Sequence, residues 1–540
     1  AAGAVAQAPR PRLPSAAGAG AAGAAAPRPA RSTLTTREPW LAGLGGRSFA
    51  QPGTREGRIG VVDAGSNSVR LVVFEGASRS PAQLFNEKVT CGLGRGLAES
   101  GRLNPAGVEK ALKALKRFAT VAEHLEVATL AGAATAAIRD AADGRAFRDR
   151  VARETGIRLR IATGADEARL AARGVLFGDP EADGVVADLG GASLELCWLE
   201  AGRVGPGITL PLGPLRLAEE SDPDAAIGRA LAGVPDAIAA GAGRLILVGG
   251  AWRALARIDM ELHAYPLKVL HEYEIAPEQA RALVRWVRRT PVEHIAMLDG
   301  VSESRAPAMP LAARLLRGLL TALDPGVLQI SAFGLREGIC LDAMPSSYRR
   351  DDPLIAAAQA MERMYARMPG FGAELGHWLV RGLAPADAAE ARLFRAAGYL
   401  ADIRWRTHPD HRVAASWEVA TRSTLTGLGH PGRAFLGLAL ATRYRRHRRV
   451  AADAPAAALL DEAAATRAVT LGLALRLGCS LAACSPGVLP HAPLGDGPEG
   501  LSVTIAPEMA DLAGEDSDKR LAQLARHMGR PVAGLRSAGT

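Results

Sequence analysis

The sequence predicts an α/β protein made of two copies of one domain followed by a mostly helical C-terminal domain, and three observations carry that expectation. Asp63–Leu71 and Asp188–Leu196 both read Asp-x-Gly-x-x-Ser-x-x-Leu, and each follows a Val-containing apolar run. After each copy, short β-branched runs alternate with longer patterns of helical period. Beyond Asp351 the chain becomes rich in Ala, Leu and Arg, with helical spacing almost throughout. A length of 540 residues exceeds what one hydrophobic core organises.

Residues 1–57 are dense in Ala, Gly, Pro and Arg, without a compact apolar run, and read as a disordered segment rather than a signal peptide. The first domain is expected over 58–182. Ile59–Asp63 and Val69–Phe74 form a hairpin around the polar turn Ala64-Gly65-Ser66-Asn67. A third strand is expected over Gln83–Thr90, then a helix with Asn104 as N-cap and Pro105 at its first position. Strands near Val127–Leu130 and Arg158–Ile161 flank a helix at about 144–154, and a further helix runs from about Ala165 to Leu176.

The second domain, 183–348, opens with the repeated motif. The spacing between the two copies is too long for a solenoid repeat and marks a duplicated domain. A later strand, Arg244–Val248, ends in Gly249-Gly250 and opens a helix near Trp252, and a last strand is expected at Val327–Ser331. The third domain is placed at 349–515, after the Arg349-Arg350-Asp351-Asp352-Pro353 cluster, and 516–540 reads as a polar, loose tail.

Composition narrows the partners. Hydrophobic residues at 48% suit a globular chain, and no run of about 20 uncharged apolar residues suggests a membrane span. The net charge of +9 fits an anionic partner, although Arg scattered by compositional bias gives the same sum. The cysteines are Cys91, Cys197, Cys340, Cys479 and Cys484. Their odd number, without CxxC spacing, argues against a zinc site or a disulfide framework and for a reducing, cytoplasmic setting.

The two hairpin turns carry the candidate chemistry. A Gly-containing turn presents consecutive backbone N–H groups, and such a nest grips phosphate oxygens. Ser66, Asn67 and Ser68 add donors in the first copy, and Gly190, Gly191 and Ser193 form the second. The acids that open the turns, Asp63 and Asp188, would repel phosphate unless a divalent cation lies between. Either turn alone is an ordinary hairpin; two related ones imply a shared cleft for a cation-bound anion. Arg70 in the first copy aligns with Glu195 in the second. Strand alternation puts Glu195 on the same face as Ser193, making it a candidate ligand of metal or water. Glu167, near the start of a helix, is a candidate proton acceptor, though an acid there also answers the helix dipole. Arg139 is either a phosphate clamp or a solvated helix residue.

These segments resemble the exopolyphosphatase/guanosine pentaphosphate phosphatase family. The resemblance covers 58–345 through VVDAGSNSVRLVVFE, GLGRGL, ATAAIRD, TGADEARLAARGV, VVADLGGASLEL, LPLGPLRL, LVGGAWRALARI and ISAFGLREGI, in the family's order. It implies two ribonuclease-H-like domains of the actin-like ATPase and sugar-kinase type. It implies Glu167 as catalytic base, Arg139 as a phosphate contact, and Asp188 and Glu195 as the acids that place metal and water. Asp63, Ser66 and Asn67 match the first phosphate loop, and Gly190, Gly191 and Ser193 the second. Ala64, Ala192 and Leu194 depart from the family pattern, and Ala192 bears on the grip of the second loop. The C-terminal region resembles a degenerate metal-phosphohydrolase-like helical domain, in which Ala401 of Tyr399–Ile403 removes a metal-ligand His. His408, Asp410, His411 and His430 fit no strong metal template. The Arg443–Arg449 run, with Tyr444 and His447, is either a polyanion path or a solvated basic helix.

The expected reaction is exopolyphosphatase hydrolysis: metal-assisted attack of water on a terminal phosphoryl group, with Mg2+, or alternatively Mn2+, near Asp63, Asp188 and Glu195. The alternatives are a guanosine pentaphosphate 5′-phosphatase and an actin-like or sugar-kinase-like ATPase. The expected partners are polyphosphate or guanosine pentaphosphate in a homodimer, without a membrane or a specific nucleic acid.

Overall fold

The repeated motif folds the same way twice. In a computed structural model of the chain, which describes residues 57–76, 78–444 and 455–537, β1 (Ile59–Ala64) turns through Gly65–Asn67 into antiparallel β2 (Ser68–Phe74). Next come β3 (Gln83–Thr90), β4 (Thr129–Ala134) and β5 (Leu159–Ile161), in the sheet order β3-β2-β1-β4-β5. β1 and β4 are parallel, so their side chains are covered on both faces and read as continuous apolar runs. In the second copy, β6 (Gly184–Leu189), β7 (Leu194–Glu200), β8 (Arg203–Leu210), β9 (Arg244–Gly249), β10 (Tyr273–Ile275) and β11 (Val327–Ser331) form the sheet β10-β11-β9-β6-β7-β8. Asp63 pairs in register with Arg70 and Asp188 with Glu195, so the two motifs superpose position by position.

Asn104 caps the helix Pro105–His124 by accepting from the Gly107 amide, as its side chain and the following proline predict. Thr163 and Asp166 form a capping box that starts the helix Gly164–Gly178. That helix packs against Leu335–Ala343 through glycines: a methyl on Gly174 would overlap the Gly334 carbonyl, and one on Gly338 the Leu170 carbonyl. One apolar core runs through both copies, joining Ile59, Val61 and Val72 to Val186, Ile246, Val248 and Ile339. The two sheets are therefore fixed against each other.

Beyond Pro353 the chain is mostly helical, with a core that includes Leu375, Phe394, Leu436 and Leu471. Two expectations change here. A small sheet, β12 (Leu494–Gly497), β13 (Gly500–Ile505) and β14 (Val532–Ser537), was not foreseen. The segment expected to be a loose tail instead forms a helix, Glu515–Met528, and β14, which pairs parallel with β13. The polar surface of that helix hides Leu521, Leu524 and Ala525, which are fully buried. The N-terminal segment and residues 445–449 of the basic run, including His447, lie outside the described residues. Among the described residues no helix is long and apolar enough to cross a membrane.

Candidate active site

The two hairpin turns close in the same way: the Gly65 amide donates to the Ser68 carbonyl and the Gly190 amide to the Ser193 carbonyl, both at 3.0 Å. They also approach each other. A methyl placed on Gly191 would lie 3.9 Å from Ser66 Cβ, so the first turn of one copy faces the second across a shared crevice. Each turn is braced from behind. The Cys91 and Gly92 amides donate to the Asn67 carbonyl, the Gly94 amide to Ser66, and the Leu215 amide to Gly191. Asn67 and Gly190 are exposed at the tips, Ser66, Ser68 and Gly191 are half-buried, and Ser193 is buried.

The acids gather behind the second turn. Glu195 is 3% exposed and accepts a 2.9 Å hydrogen bond from Thr209 Oγ1, its cross-strand neighbour. Burial, together with the charge of Asp188, pushes the Glu195 carboxyl above the ordinary range. Asp188 keeps part of its surface open, and burial with the added charge of Asp63 pushes it up to about 6, against the pull of Arg253. Glu167 stands on the first turn of the helix Gly164–Gly178, 8% exposed. Burial first, then Glu195, raise its carboxyl strongly, although Arg139 opposes them. Four carboxylates whose fields meet in one region are an unstable arrangement without a cation or protons.

Arg139 forms an ion pair with Glu167, and its Nε also bonds Asp140 Oδ1 at 3.0 Å. The two residues expected to hold phosphate and to activate water are thus each other's partners, a contact that spacing in the sequence does not reveal. Asp63 is likewise engaged, by Arg336 Nη1 at 3.2 Å. Among the described residues no three His, Cys, Asp or Glu side chains converge as a ready metal cage. Asp63, Asp188 and Glu195 are brought together around the turns, but Asp63 faces an arginine and Glu195 a threonine. The partly open Asp188 has the accessibility that Mg2+ needs when it keeps waters and takes the rest of its ligands from phosphates. The donor set fits such a cation and not a closed protein cage.

A group of cations beside Asp63 escaped the sequence reading. Burial lowers Arg70, Lys88, Arg253 and Arg305, and neighbouring cations lower each further: Arg336 for Arg70 and Arg253, Arg305 for Lys88, Arg257 for Arg305. Arg70 and Lys88 are cross-strand partners. Among the described residues neither they nor Arg305 have a carboxylate within ion-pair distance. The Nε atoms of Arg70 and Arg336 are buried without a hydrogen-bond partner. Arg305 lies over the Gly249-Gly250 turn, where a methyl on Gly250 would come 3.1 Å from its Nη2. Half-buried Arg70 and Arg305 and the exposed Lys88 depress one another and have no carboxylate partner among the described residues, as a site for a multiply charged anion would. The signal available in the sequence was Arg70 opposite Glu195, a difference between the copies that spares Asp63 a second acid.

In the C-terminal domain, Asp402 of the degenerate motif is held by Arg443 Nη2 at 3.2 Å and Arg367 Nη2 at 3.3 Å, as an anchor for arginines. His430 is buried, 2.9 Å from Tyr265 Oη and 3.1 Å from the His271 carbonyl, and serves the contact with the second domain. His408 and Asp410 are exposed.

Fold and site together define a phosphatase built on duplicated α/β domains, with paired glycine turns, a group of raised carboxylates and a cation cluster without carboxylate partners among the described residues. The chain belongs to the Ppx/GppA phosphatase family, whose model matches residues 72–347; a second model, described as exopolyphosphatase, C-terminal, matches 354–534. Exopolyphosphatase 1 of Mycobacterium tuberculosis is 30% identical over 309 residues, which cover 54% of this chain and 89% of that protein. Exopolyphosphatase 1 of Mycobacterium leprae is 29% identical over 308 residues, 54% of this chain and 90% of that one. A crystal structure of an exopolyphosphatase from Cytophaga hutchinsonii is similar in fold, with a TM-score of 0.48 and 24% identity, over 52% of this chain and 96% of that one.

Proposed function

We propose that this phosphatase is an exopolyphosphatase that removes the terminal phosphate of inorganic polyphosphate. The observation that carries the reading is the meeting of the Ser66 and Gly191 turns across one crevice, with the carboxylates Asp188, Glu195 and Glu167 acting on one another and the cations Arg70, Lys88 and Arg305 doing the same. In this reading the turn amides of 65–68 and 190–193 hold the terminal phosphoryl group. The following phosphates lie along the cations. Glu167 accepts a proton from water, whose oxygen forms a bond to the terminal phosphorus as the bridging P–O bond breaks. The departing chain leaves with the negative charge and remains against the arginines. Arg139 exchanges Glu167 for a substrate oxygen, which removes the cation that keeps Glu167 acidic and raises its basicity when substrate is present. Mg2+, or Mn2+, would be held by Asp188 with Glu195 nearby, and would supply charge neutralisation for the phosphates.

Trp252 fills the space after Gly249-Gly250, fully buried with its Nε1 on the Ala187 carbonyl, and Arg305 covers Gly250. Both crowd this turn, which weighs against an adenine there and against an ATP-dependent kinase. The reducing cytoplasmic setting rests on the five cysteines' odd number and spacing. The homodimer rests on the family resemblance alone.

The test is phosphate release from long-chain polyphosphate, guanosine pentaphosphate and ATP in parallel, with and without Mg2+. The proposal expects polyphosphate to be turned over fastest, only with the metal. Faster release from guanosine pentaphosphate would assign the chain to alarmone hydrolysis; release from ATP alone would overturn both.

A further inference from the structure

A second basic and aromatic site stands in the C-terminal domain, on elements outside the cleft described above. The end of the helix Pro353–Tyr365 and the turn Ile403–Thr407 enclose a cleft of about 380 Å3, lined by Met364, Tyr365, Ile403, Arg404, Trp405 and Arg406 among others. That volume falls in the range of about 300–1,000 Å3 typical of small-molecule sites. Its walls are fixed. Trp405 Nε1 donates to the Tyr365 carbonyl at 3.1 Å, and Arg412 donates to the Trp405 and Thr407 carbonyls at 2.9 and 3.0 Å. Arg367 stacks against the indole with Cζ 5.4 Å from the ring centroid, while its Nη2 reaches buried Asp402.

Two features of the lining are unusual for a solvated surface. Met364 and Tyr365 are 58% and 52% exposed, an apolar and an aromatic side chain left in water side by side. Arg404 and Arg406 are exposed, and their guanidinium groups have no carboxylate or hydrogen-bond partner among the described residues; that of Arg406 stacks on Trp405, with Cζ 4.8 Å from the centroid. No Asp or Glu lines the cleft. Guanidinium groups free to fork around phosphate oxygens call for an anion. A bare phosphate chain would leave Met364 and Tyr365 uncovered, so the ligand also carries a flat, largely apolar body.

We propose that this cleft binds a nucleoside diphosphate or triphosphate, with its base against Tyr365 and Met364 and its phosphates on Arg404 and Arg406. This reading does not depend on which phosphate substrate the cleft between the duplicated domains hydrolyses.

The test is equilibrium binding of ADP and GDP to the full-length protein, with tripolyphosphate and adenosine as comparison ligands. It is repeated on the Arg404→Ala/Arg406→Ala variant, on Trp405→Leu, and on Arg305→Ala, which alters the cleft of the duplicated domains. The proposal expects one saturable nucleotide site that weakens at least about tenfold in Arg404→Ala/Arg406→Ala and is unchanged in Arg305→Ala. At the site that Arg404→Ala/Arg406→Ala removes, tripolyphosphate and adenosine should each bind about tenfold more weakly than ADP or GDP. Trp405→Leu, which loosens the wall, should weaken ADP and GDP more than tripolyphosphate. The proposal is overturned if neither nucleotide saturates at millimolar concentration, or if, at the site removed by Arg404→Ala/Arg406→Ala, tripolyphosphate binds as well as ADP. It is equally overturned if binding survives Arg404→Ala/Arg406→Ala but is lost in Arg305→Ala, which would put the nucleotide in the other cleft.

Discussion

Glu167 is pulled in two directions. Burial and Glu195 favour its protonated form, and Arg139 favours the carboxylate that a general base must be. Removing the arginine should therefore raise the Glu167 carboxyl further. In Arg139→Gln the acidic limb of the kcat/KM profile is expected to move to higher pH than in the wild type; an unmoved limb would mean that another group is the base. The same electrostatics set a stability prediction. Glu195 and Asp188 have raised pKa values in the fold, so their favourable, protonated contribution is complete below the ordinary carboxylate range. It is lost as pH rises through the raised values, about 6 for Asp188. Glu195→Gln keeps the neutral form at every pH. Without metal it should raise the Tm at about pH 8.5 by more than at about pH 5, and an equal shift at both would deny the repulsion. The identities of these residues were readable from the duplicated motif and the family pattern. The Arg139–Glu167 and Asp63–Arg336 pairs were not, because they join residues far apart in the chain whose proximity is created by the sheets.

Elements place these side chains, and the helix Gly164–Gly178 places Glu167. Its close seat on Leu335–Ala343 requires Gly174, where any larger side chain meets backbone rather than a movable side chain. Gly174→Val is expected to destabilise the protein by about 1–3 kcal/mol. It should also lower kcat, because the same displacement moves Glu167 and the Arg336 helix apart. A loss of stability with unchanged kcat would separate the helix from the chemistry. Asn104 is a local feature without such coupling, and Asn104→Ala should cost about 1 kcal/mol with no change in activity. The difference between the two positions explains what was legible. Caps, turns and parallel strands such as Asn104-Pro105 and Val327–Ser331 announce themselves locally. A glycine inside a helical pattern does not say which backbone it must meet. The last helix was read as a loose tail for a related reason: Leu521, Leu524 and Ala525 are few against a polar background, and only their packing on the C-terminal core makes them a face.

Across the whole molecule, charge is distributed by role. A net charge of +9 alone did not distinguish compositional bias from a binding surface. The structure gathers Arg70, Lys88 and Arg305, without carboxylate partners among the described residues, near the paired turns, while surface arginines such as Arg150 and Arg117 form ion pairs. Long polyphosphate should therefore bind with a strong salt dependence, its KM rising between about 50 and 200 mM salt. Arg305→Ala should raise KM at low salt and flatten that dependence, whereas a slope unchanged from wild type would place the polyanion elsewhere. The account as a whole depends on Glu167 acting on a phosphate chain held by the facing turns. The most direct measurement is Glu167→Gln, assayed for both phosphate release and polyphosphate binding. The account predicts a fall in kcat of about 10²- to 10⁴-fold, with the dissociation constant for the chain little changed. Near-wild-type turnover in Glu167→Gln would contradict it.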